Sequence, residues 1–190
     1  MERDGYFVDI GLPKTLAQAR IELPCSKPKR TARLEYFEST LLPTPELDVV
    51  EVFPGSALFS IAAIDYRDND LGDYNEVSLA FFVRRRGEAP AIPYLGNAVD
   101  FFRGRLATWI WQLPVDQSFT CEAGCGIWGF PKTVQQIEFE DAGGRRTCRL
   151  VMDGKHVLTL CVPRGGTGTL ADGPLETYTL IGGALHRTRF

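Results

Sequence analysis

The residue in this sequence that is most clearly able to take part in a chemical reaction is a lysine that follows a proline. Lys132 comes directly after Pro131, which has a fixed φ and no N–H, and Gly129 allows close approach of the backbone. Trp128 and Phe130 add large apolar surfaces that are normally buried. Burial disfavours the charged ammonium, and a neutral amine can attack a carbonyl carbon to form a Schiff base. The same residues also fit an ordinary turn whose lysine reaches into water.

A second segment contributes a tyrosine and a glutamate. Residues 71–76 read Leu-Gly-Asp-Tyr-Asn-Glu and precede the lysine turn in the chain. The two segments together resemble the active-site motifs of the acetoacetate decarboxylase superfamily. In that family a helix ends in an aromatic-Pro-Lys turn, and a Leu-Gly-x-Tyr-x-Glu segment supplies an active-site glutamate. The motifs occur here in the family's order and at a similar separation, and the resemblance covers the chain from about Arg33 to its C-terminus.

The resemblance implies a carbon–carbon lyase of the carboxy-lyase type. Lys132 would form a Schiff base with a small keto acid, and the imine would accept electrons as carbon dioxide leaves. Glu76 would orient the substrate or transfer a proton. We also expect aromatic residues to bind the substrate and an arginine to hold its carboxylate. The aromatic candidates are Tyr74, Trp128 and Phe130, and the candidate arginines are Arg33, Arg103 and Arg105.

Three positions depart from the family pattern. Thr133 stands where the decarboxylase has a second lysine, and Ser60 stands where it has a further glutamate. The family's Arg-Glu-Tyr-Phe segment corresponds here to Leu-Glu-Tyr-Phe at 34–37. Two alternatives therefore stay open. One is a superfamily enzyme that uses the same lysine for aldol condensation and dehydration with pyruvate-like donors, and the other is a small-molecule-binding domain without turnover.

A helix must precede the lysine turn. Asp116 followed by residues 117–127 predicts a helix with an aspartate cap. Lys132 would then lie beyond the C-terminal end of this helix, where the helix dipole favours the charged amine and opposes its activation. The apolar residues that recur every four positions, and that predict the buried face of the helix, are Phe119, Ala123 and Ile127.

Most of the remaining chain has the pattern of β-strands. Asp-Gly at 153–154 between two alternating runs predicts a hairpin over 147–162. A short helix is expected near 97–105, and residues 43–54 fit either a helical turn or a strand. Many strands with few helices predict an α+β fold with a mainly antiparallel sheet, and the resemblance implies a cone-like barrel with the lysine in its cavity. The apolar runs that predict further strands are 33–42, 57–66, 75–84, 106–113, 133–140 and 175–185.

The N-terminal part of the chain differs from the rest. Residues 1–30 are rich in Pro, Lys and Arg, and we expect a loose arm with a short helix near 16–21. Residues 31–190 would form one acetoacetate decarboxylase-like domain. Family members extend beyond the position of Phe190, so we expect the sequence to be truncated at its C-terminus.

Composition bounds the kinds of partner. A formal net charge of −3 over 190 residues gives no sign of a nucleic-acid partner. The sequence has no signal-peptide pattern at its start and no apolar run near the ~20 residues of a membrane helix. We therefore expect a cytoplasmic protein with no membrane contact, and the resemblance implies a homo-oligomer with a keto acid ligand and no cofactor.

The cysteines fit reduced thiols. Cys121 and Cys125 share one face if their segment is helical, but the two histidines of the chain, His156 and His186, lie far from them in sequence. We predict that Cys121 and Cys125 are free thiols and that the site has no metal. The other cysteines are Cys25, Cys148 and Cys161.

Overall fold

β-Strands dominate the computed structural model, which describes residues 20–22, 44–68, 70–164 and 175–189. Thirteen strands and two helices occur within these ranges. In chain order they are β1 (Arg20–Glu22), β2 (Leu47–Val49), β3 (Glu51–Phe53), β4 (Ser56–Ala57), β5 (Phe59–Tyr66), β6 (Tyr74–Arg85), α1 (Leu95–Phe102), β7 (Ala107–Val115), α2 (Ser118–Trp128), β8 (Lys132–Val134), β9 (Gln136–Ala142), β10 (Arg145–Met152), β11 (Lys155–Pro163), β12 (Glu176–Ile181) and β13 (Ala184–Arg189).

The described chain divides into two compact units that alternate along the sequence. Strands β6 and β7 contribute residues to both units, and each unit has an apolar core of its own. The described residues of the first unit are 20–22, 60–68, 70–79 and 112–164, and those of the second are 44–59, 80–111 and 175–189.

The first unit contains a four-stranded antiparallel sheet in the order β1-β11-β10-β9. The predicted hairpin is confirmed as β10 and β11, and Asp153 and Gly154 both have positive φ, as a two-residue type I′ turn requires. Leu150 and Leu160 are fully buried in the core below this sheet. Residues 20–22 form a strand where a helix through residue 21 was expected, because the edge of β11 offers them backbone hydrogen bonds.

The segment 133–140 forms two strands, and the single strand predicted there is wrong. β8 pairs in parallel with β7, whereas β9 pairs antiparallel with β10. The break falls at Gln135, whose backbone N–H donates to the carbonyl of Val115 at 2.7 Å. The change of partner strand, which periodicity does not reveal, therefore divides the segment.

The second unit contains a further hairpin that the sequence analysis missed. β12 and β13 pair antiparallel, where one strand over 175–185 was expected. They are joined at Gly182 and Gly183, whose φ values of 59° and 82° suit a glycine turn. β12 also pairs in parallel with β7.

Residues 43–54 were expected to form either a helical turn or a strand. β2 pairs antiparallel with β6, so the strand alternative is correct where the structure describes these residues.

The α+β class with mainly antiparallel strands is confirmed, and closure into a barrel stays a prediction. α1 begins two residues before its expected start and ends before Gly104, which has positive φ. The expected strand over 33–42, and the boundary near residue 30, lie outside the described residues. Neither α1 nor α2, the two helices that the described ranges contain, is long and apolar enough to cross a membrane.

Candidate active site

Helix α2 leads into the lysine turn, and its cap differs from the one predicted. The Gln117 side chain caps the helix, since its Oε1 accepts a hydrogen bond from the Thr120 N–H at 3.0 Å. Asp116 instead accepts two hydrogen bonds from Asn75, one from its backbone N–H and one from its amide, each at 2.7 Å. The aspartate therefore ties the start of the helix to β6.

The buried face of α2 consists of small residues. Thr120 is 0% exposed and Gly124 is also buried, whereas Phe119 and Ile127 are 58% and 64% exposed. The predicted buried face of residues 119, 123 and 127 is therefore wrong. The apolar spacing does mark one face of the helix, but the packing partner on the other face is a lysine stem, which needs small neighbours.

The turn after α2 reverses the chain within a few residues. Gly129 adopts φ 65°, the left-handed conformation that glycine tolerates best, and its N–H donates to the Cys125 carbonyl at 3.2 Å. The Pro131 carbonyl then accepts a hydrogen bond from the Leu113 N–H at 3.3 Å, where β8 begins beside β7. Lys132 is thus anchored by its backbone in a parallel strand pair.

The Lys132 side chain turns back along α2. Its stem crosses Gly124 so closely that a Cβ at this position would lie 2.5 Å from Cδ and 2.7 Å from Cε. The amine reaches Thr120, and Nζ donates a hydrogen bond to Oγ1 at 3.2 Å. A glycine within the helix is therefore what lets the lysine lie flat on it.

The Lys132 amine forms a buried ion pair with Glu76. The distance from Nζ to Oε2 is 2.9 Å, and the two side chains are only 6% and 8% exposed. Tyr74 lies two residues before Glu76 on β6 and hence on the same face of the strand. Its ring centroid is 5.1 Å from Nζ. The structure thus brings together the lysine, the glutamate and the tyrosine of the two sequence segments.

Burial controls the electrostatics of this cluster. It raises the pKa of Glu76, and the nearby charge and hydrogen bond of Lys132 partly offset that rise. Burial also raises the pKa of Tyr74, and the Glu76 charge adds to the increase. The phenol therefore stays protonated across the neutral range, and the carboxyl group holds a proton more readily than an exposed glutamate.

The amine does not lie at the end of the helix that its place in the sequence suggests. Lys132 follows the C-terminal end of α2 in sequence, but its Nζ lies beside Thr120 in the first turn of the helix. The expectation that the amine would lie at the negative end of the helix dipole is therefore wrong.

The aromatic candidates form two stacked pairs. Tyr74 stacks on Tyr66 with ring centroids 4.5 Å apart, and Trp128 stacks on Phe130 at 6.1 Å. Phe130 is buried, and its carbonyl accepts a hydrogen bond from the Lys132 N–H at 2.8 Å. The stacked pairs stiffen both segments that carry the cluster, while their contact with a substrate stays a prediction.

None of the three arginines proposed from the sequence is placed beside the Lys132 amine in the described residues. Arg33 lies outside the described residues, and Arg103 and Arg105 are exposed residues after α1 in the second unit. The sequence analysis missed Arg146, whose buried guanidinium group pairs with Asp65 at 2.8 Å. A second carboxylate, that of Asp141, is 3.1 Å away, and the guanidinium also lies over the Phe139 ring. Because Arg146 already binds two carboxylates, we interpret it as a structural residue.

Two of the three substituted positions lie in the described residues, and Leu34 lies outside them. Thr133 is exposed, as strand alternation requires for the neighbour of a lysine that points inward. Ser60 is partly buried and lies six residues before Tyr66 in β5, hence on the same face of that strand but roughly 20 Å along it. The change at 60 therefore lies on the strand face that carries Tyr66, whereas the change at 133 faces solvent.

Thr120 and Gly124 are the residues of the cluster that the sequence analysis did not identify. A usable signal was present, because glycine in a helix interior is less favourable than alanine by ~1 kcal/mol. Gly124 and Gly126 are therefore both candidate points of close approach, and the structure shows that only Gly124 is one of them. Thr120 lies one turn earlier on the same face.

Cys121 and Cys125 occur as free thiols on α2. Burial raises the pKa of Cys121, and the neighbouring Cys125 raises it further. The prediction that both remain reduced in solution can be checked by counting thiols. Within the described ranges, no three His, Cys, Asp or Glu side chains are grouped to hold a metal ion.

Gly124→Ala is expected to displace the amine. The added methyl group would occupy the path of the stem, so Nζ must leave Glu76 or Thr120. We expect the rate of borohydride-trapped imine formation to fall by about 100-fold, the cost of roughly 1 Å of misplacement. Gly126→Ala is the matched control, since a Cβ there meets nothing within 4 Å and both changes favour the helix. Equal trapping rates in the two variants would contradict this packing.

Comparison with known proteins places these features in a family. The family model described as acetoacetate decarboxylase (ADC) matches residues 39–173, a range that includes Lys132, Glu76 and Thr120. No curated protein sequence matches the chain significantly.

One solved structure shows the same fold, and two others are more distantly similar. An acetoacetate decarboxylase from Legionella pneumophila subsp. pneumophila str. Philadelphia 1 superimposes with a TM-score of 0.59 at 15% identity, over 82% of this chain and 59% of that one. The enduracididine biosynthesis enzyme MppR, complexed with pyruvate, has a TM-score of 0.48 at 17% identity, over 77% and 60%. An acetoacetate decarboxylase-like enzyme from Sphingomonas wittichii RW1 has a TM-score of 0.48 at 15% identity, over 80% and 62%. The chain thus spans about three fifths of the length of these structures.

Proposed function

This chain belongs to the acetoacetate decarboxylase family, and we propose that it is a Schiff-base lyase that decarboxylates a small keto acid through Lys132. The observation that carries the proposal is the buried pair of Lys132 and Glu76, with 2.9 Å between Nζ and Oε2. A lysine must lose a proton before it can attack a carbonyl, and this pair provides an acceptor at hydrogen-bond distance.

The first step is transfer of a proton from the Lys132 ammonium to Glu76. Burial of the pair disfavours two separated charges, and the raised pKa of Glu76 makes its carboxylate a better base than an exposed one. The neutral amine then attacks the ketone carbon, Glu76 gives the proton back to the departing oxygen, and water leaves to give a protonated imine.

The second step is cleavage of the bond between the substrate's carboxylate and its α-carbon. The electrons of this bond move into the protonated imine, carbon dioxide leaves, and an enamine remains on Lys132. Glu76 takes up a proton from solvent and transfers it to the enamine carbon. Water then hydrolyses the imine and releases the ketone and the free lysine. Because the electrons must reach the imine, the substrate is a β-keto acid.

A second candidate function uses the same lysine with pyruvate. Glu76 would take a proton from the methyl carbon of the pyruvate imine to give an enamine, without loss of carbon dioxide. The enamine carbon then attacks an aldehyde, whose oxygen takes up that proton, and loss of water follows. Ser60 favours this candidate, because it stands where the resemblance places a carboxylate of the decarboxylase.

Two assays on the same protein distinguish these functions. Release of carbon dioxide from acetoacetate and other β-keto acids supports the lyase. Consumption of pyruvate only when an aldehyde is present supports the condensation. Trapping of an imine without turnover in either assay would support the small-molecule-binding alternative, and no trapping with any keto acid would reject the Schiff-base proposal.

Thr133→Lys is expected to have little effect on either reaction. The side chain at 133 points into solvent, where a charge is screened and an exposed pair is worth ~1 kcal/mol at most, about fivefold in rate. Thr133→Gln serves as a neutral control of similar size. If the lysine variant raised carbon dioxide release by more than tenfold over the glutamine variant, a charge at this position would act on the site, contrary to this account.

A further inference from the structure

We propose that Thr120 positions the Lys132 amine for attack on the keto acid, an inference that rests on the proposed function. The geometry around Nζ supports it. A lysine nitrogen has three directions available besides its bond to Cε. Glu76 occupies one of them at 2.9 Å, and Thr120 occupies another at 3.2 Å. Loss of a proton to Glu76 leaves the lone pair on the Glu76 side of the nitrogen, while the Thr120 contact still holds one N–H and limits how the amine can turn towards the carbonyl carbon.

Thr120 is held more firmly than most threonines. Its side chain is 0% exposed, and its backbone N–H is bound by the cap residue Gln117 at 3.0 Å. It lies in the first turn of α2, so its Cα is fixed by the helix. The hydroxyl group is therefore a fixed point for the flexible end of the lysine, which has several rotatable bonds.

Tyr74 completes the surroundings of the amine. Its ring centroid lies 5.1 Å from the Lys132 nitrogen, on the same strand face as Glu76. Tyr74 in turn stacks on Tyr66. The amine therefore lies beside a fixed ring as well as its two hydrogen-bond partners, which limits the other positions that it can reach.

Gly124 complements this contact. The stem of Lys132 can reach Thr120 only by crossing the glycine, where a Cβ would lie 2.5 Å from Cδ. Gly124 and Thr120 lie four residues apart on the buried face of α2. Gly124 leaves room for the lysine stem, and Thr120 binds the amine at its end. Glu76 receives the proton in the proposed reaction, whereas Thr120 determines where the amine points.

The test compares Thr120→Val with Thr120→Ser. Valine keeps the branched shape and removes the hydroxyl group, whereas serine keeps the hydroxyl group and removes a methyl group. The rate of borohydride-trapped adduct formation with acetoacetate is measured against acetoacetate concentration. We expect valine to lower the plateau rate about 10- to 100-fold, as for loss of a hydrogen bond to a charged group. The half-saturating concentration should change less than about twofold, and serine should restore most of the rate.

The outcomes separate packing from positioning. If the serine variant is slower than the valine variant, or if valine matches the wild type, the proposal is wrong. Thermal unfolding of both variants provides the stability reference. If the wild type forms no adduct with acetoacetate, the proposed function fails.

Reductive methylation with formaldehyde then tests the positioning of the amine alone. The methylation rate at Lys132 is divided by the rate at exposed Lys155 in the wild type and in the valine variant. The same ratio in both proteins would overturn the inference.

Discussion

Lys132→Ala is expected to abolish turnover of the β-keto acid. Without the amine no imine forms, and the carboxylate has no electron sink, so carbon dioxide release should fall to the rate of the uncatalysed reaction. The expected loss is larger than for any other substitution in the site, because the covalent pathway itself is removed. The measurement is carbon dioxide release from acetoacetate by purified wild-type and variant protein.

Lys155→Ala is the matched control for this change. Lys155 is an exposed lysine at the start of β11 in the same unit, so its removal changes the net charge equally without touching the site. We expect the control to keep wild-type turnover. The account is wrong if Lys132→Ala retains a substantial fraction of the activity, since a lysine-independent route would then operate.

Glu76→Gln is expected to give the second largest loss. Glutamine keeps the size of the side chain and can still accept a hydrogen bond from the amine, but it cannot take its proton. Removal of a positioned general base typically costs ~10²–10⁴ in rate. We therefore expect imine formation to slow within this range while the fold is kept. Glu140→Gln, at an exposed glutamate of β9, is the control.

The pH dependence of the same reaction gives a second readout of Glu76. Burial raises the pKa of this carboxyl group. The group therefore loses its proton, and can act as a base, only at a higher pH than an ordinary glutamate. The wild-type rate should therefore rise with pH through that raised pKa, and this acid limb should be lost in Glu76→Gln. A variant that keeps both the acid limb and the wild-type rate would show that another group accepts the proton.

The sequence identifies the residues that meet at the lysine better than it identifies their packing. The two motif segments are sufficient to predict that Lys132, Glu76 and Tyr74 lie together, because each segment is short and its residue types are distinctive. The direction of the lysine side chain is not contained in those motifs. It depends on Gly124, which leaves room for the stem, and on Thr120, which binds the amine.

The errors in the fold have related causes. The period of four in Phe119, Ala123 and Ile127 marks one face of α2, but periodicity cannot tell which face meets the rest of the unit. The break at Gln135 arises from a change of partner strand. Both features depend on tertiary contacts. Local signals such as Asp153-Gly154, in contrast, predict their turn correctly, because the two residues alone favour it.

The central claim, that Lys132 forms an imine with a keto acid, is tested most directly by mapping a trapped adduct. Wild-type protein is incubated with acetoacetate or pyruvate, reduced with borohydride, digested and analysed by mass spectrometry. We predict one modified peptide, containing Lys132, with an added mass equal to that of the keto acid, or of the ketone left after decarboxylation, less one oxygen atom. Modification of Lys155 or another lysine in its place, or no modification with any keto acid, would contradict the account.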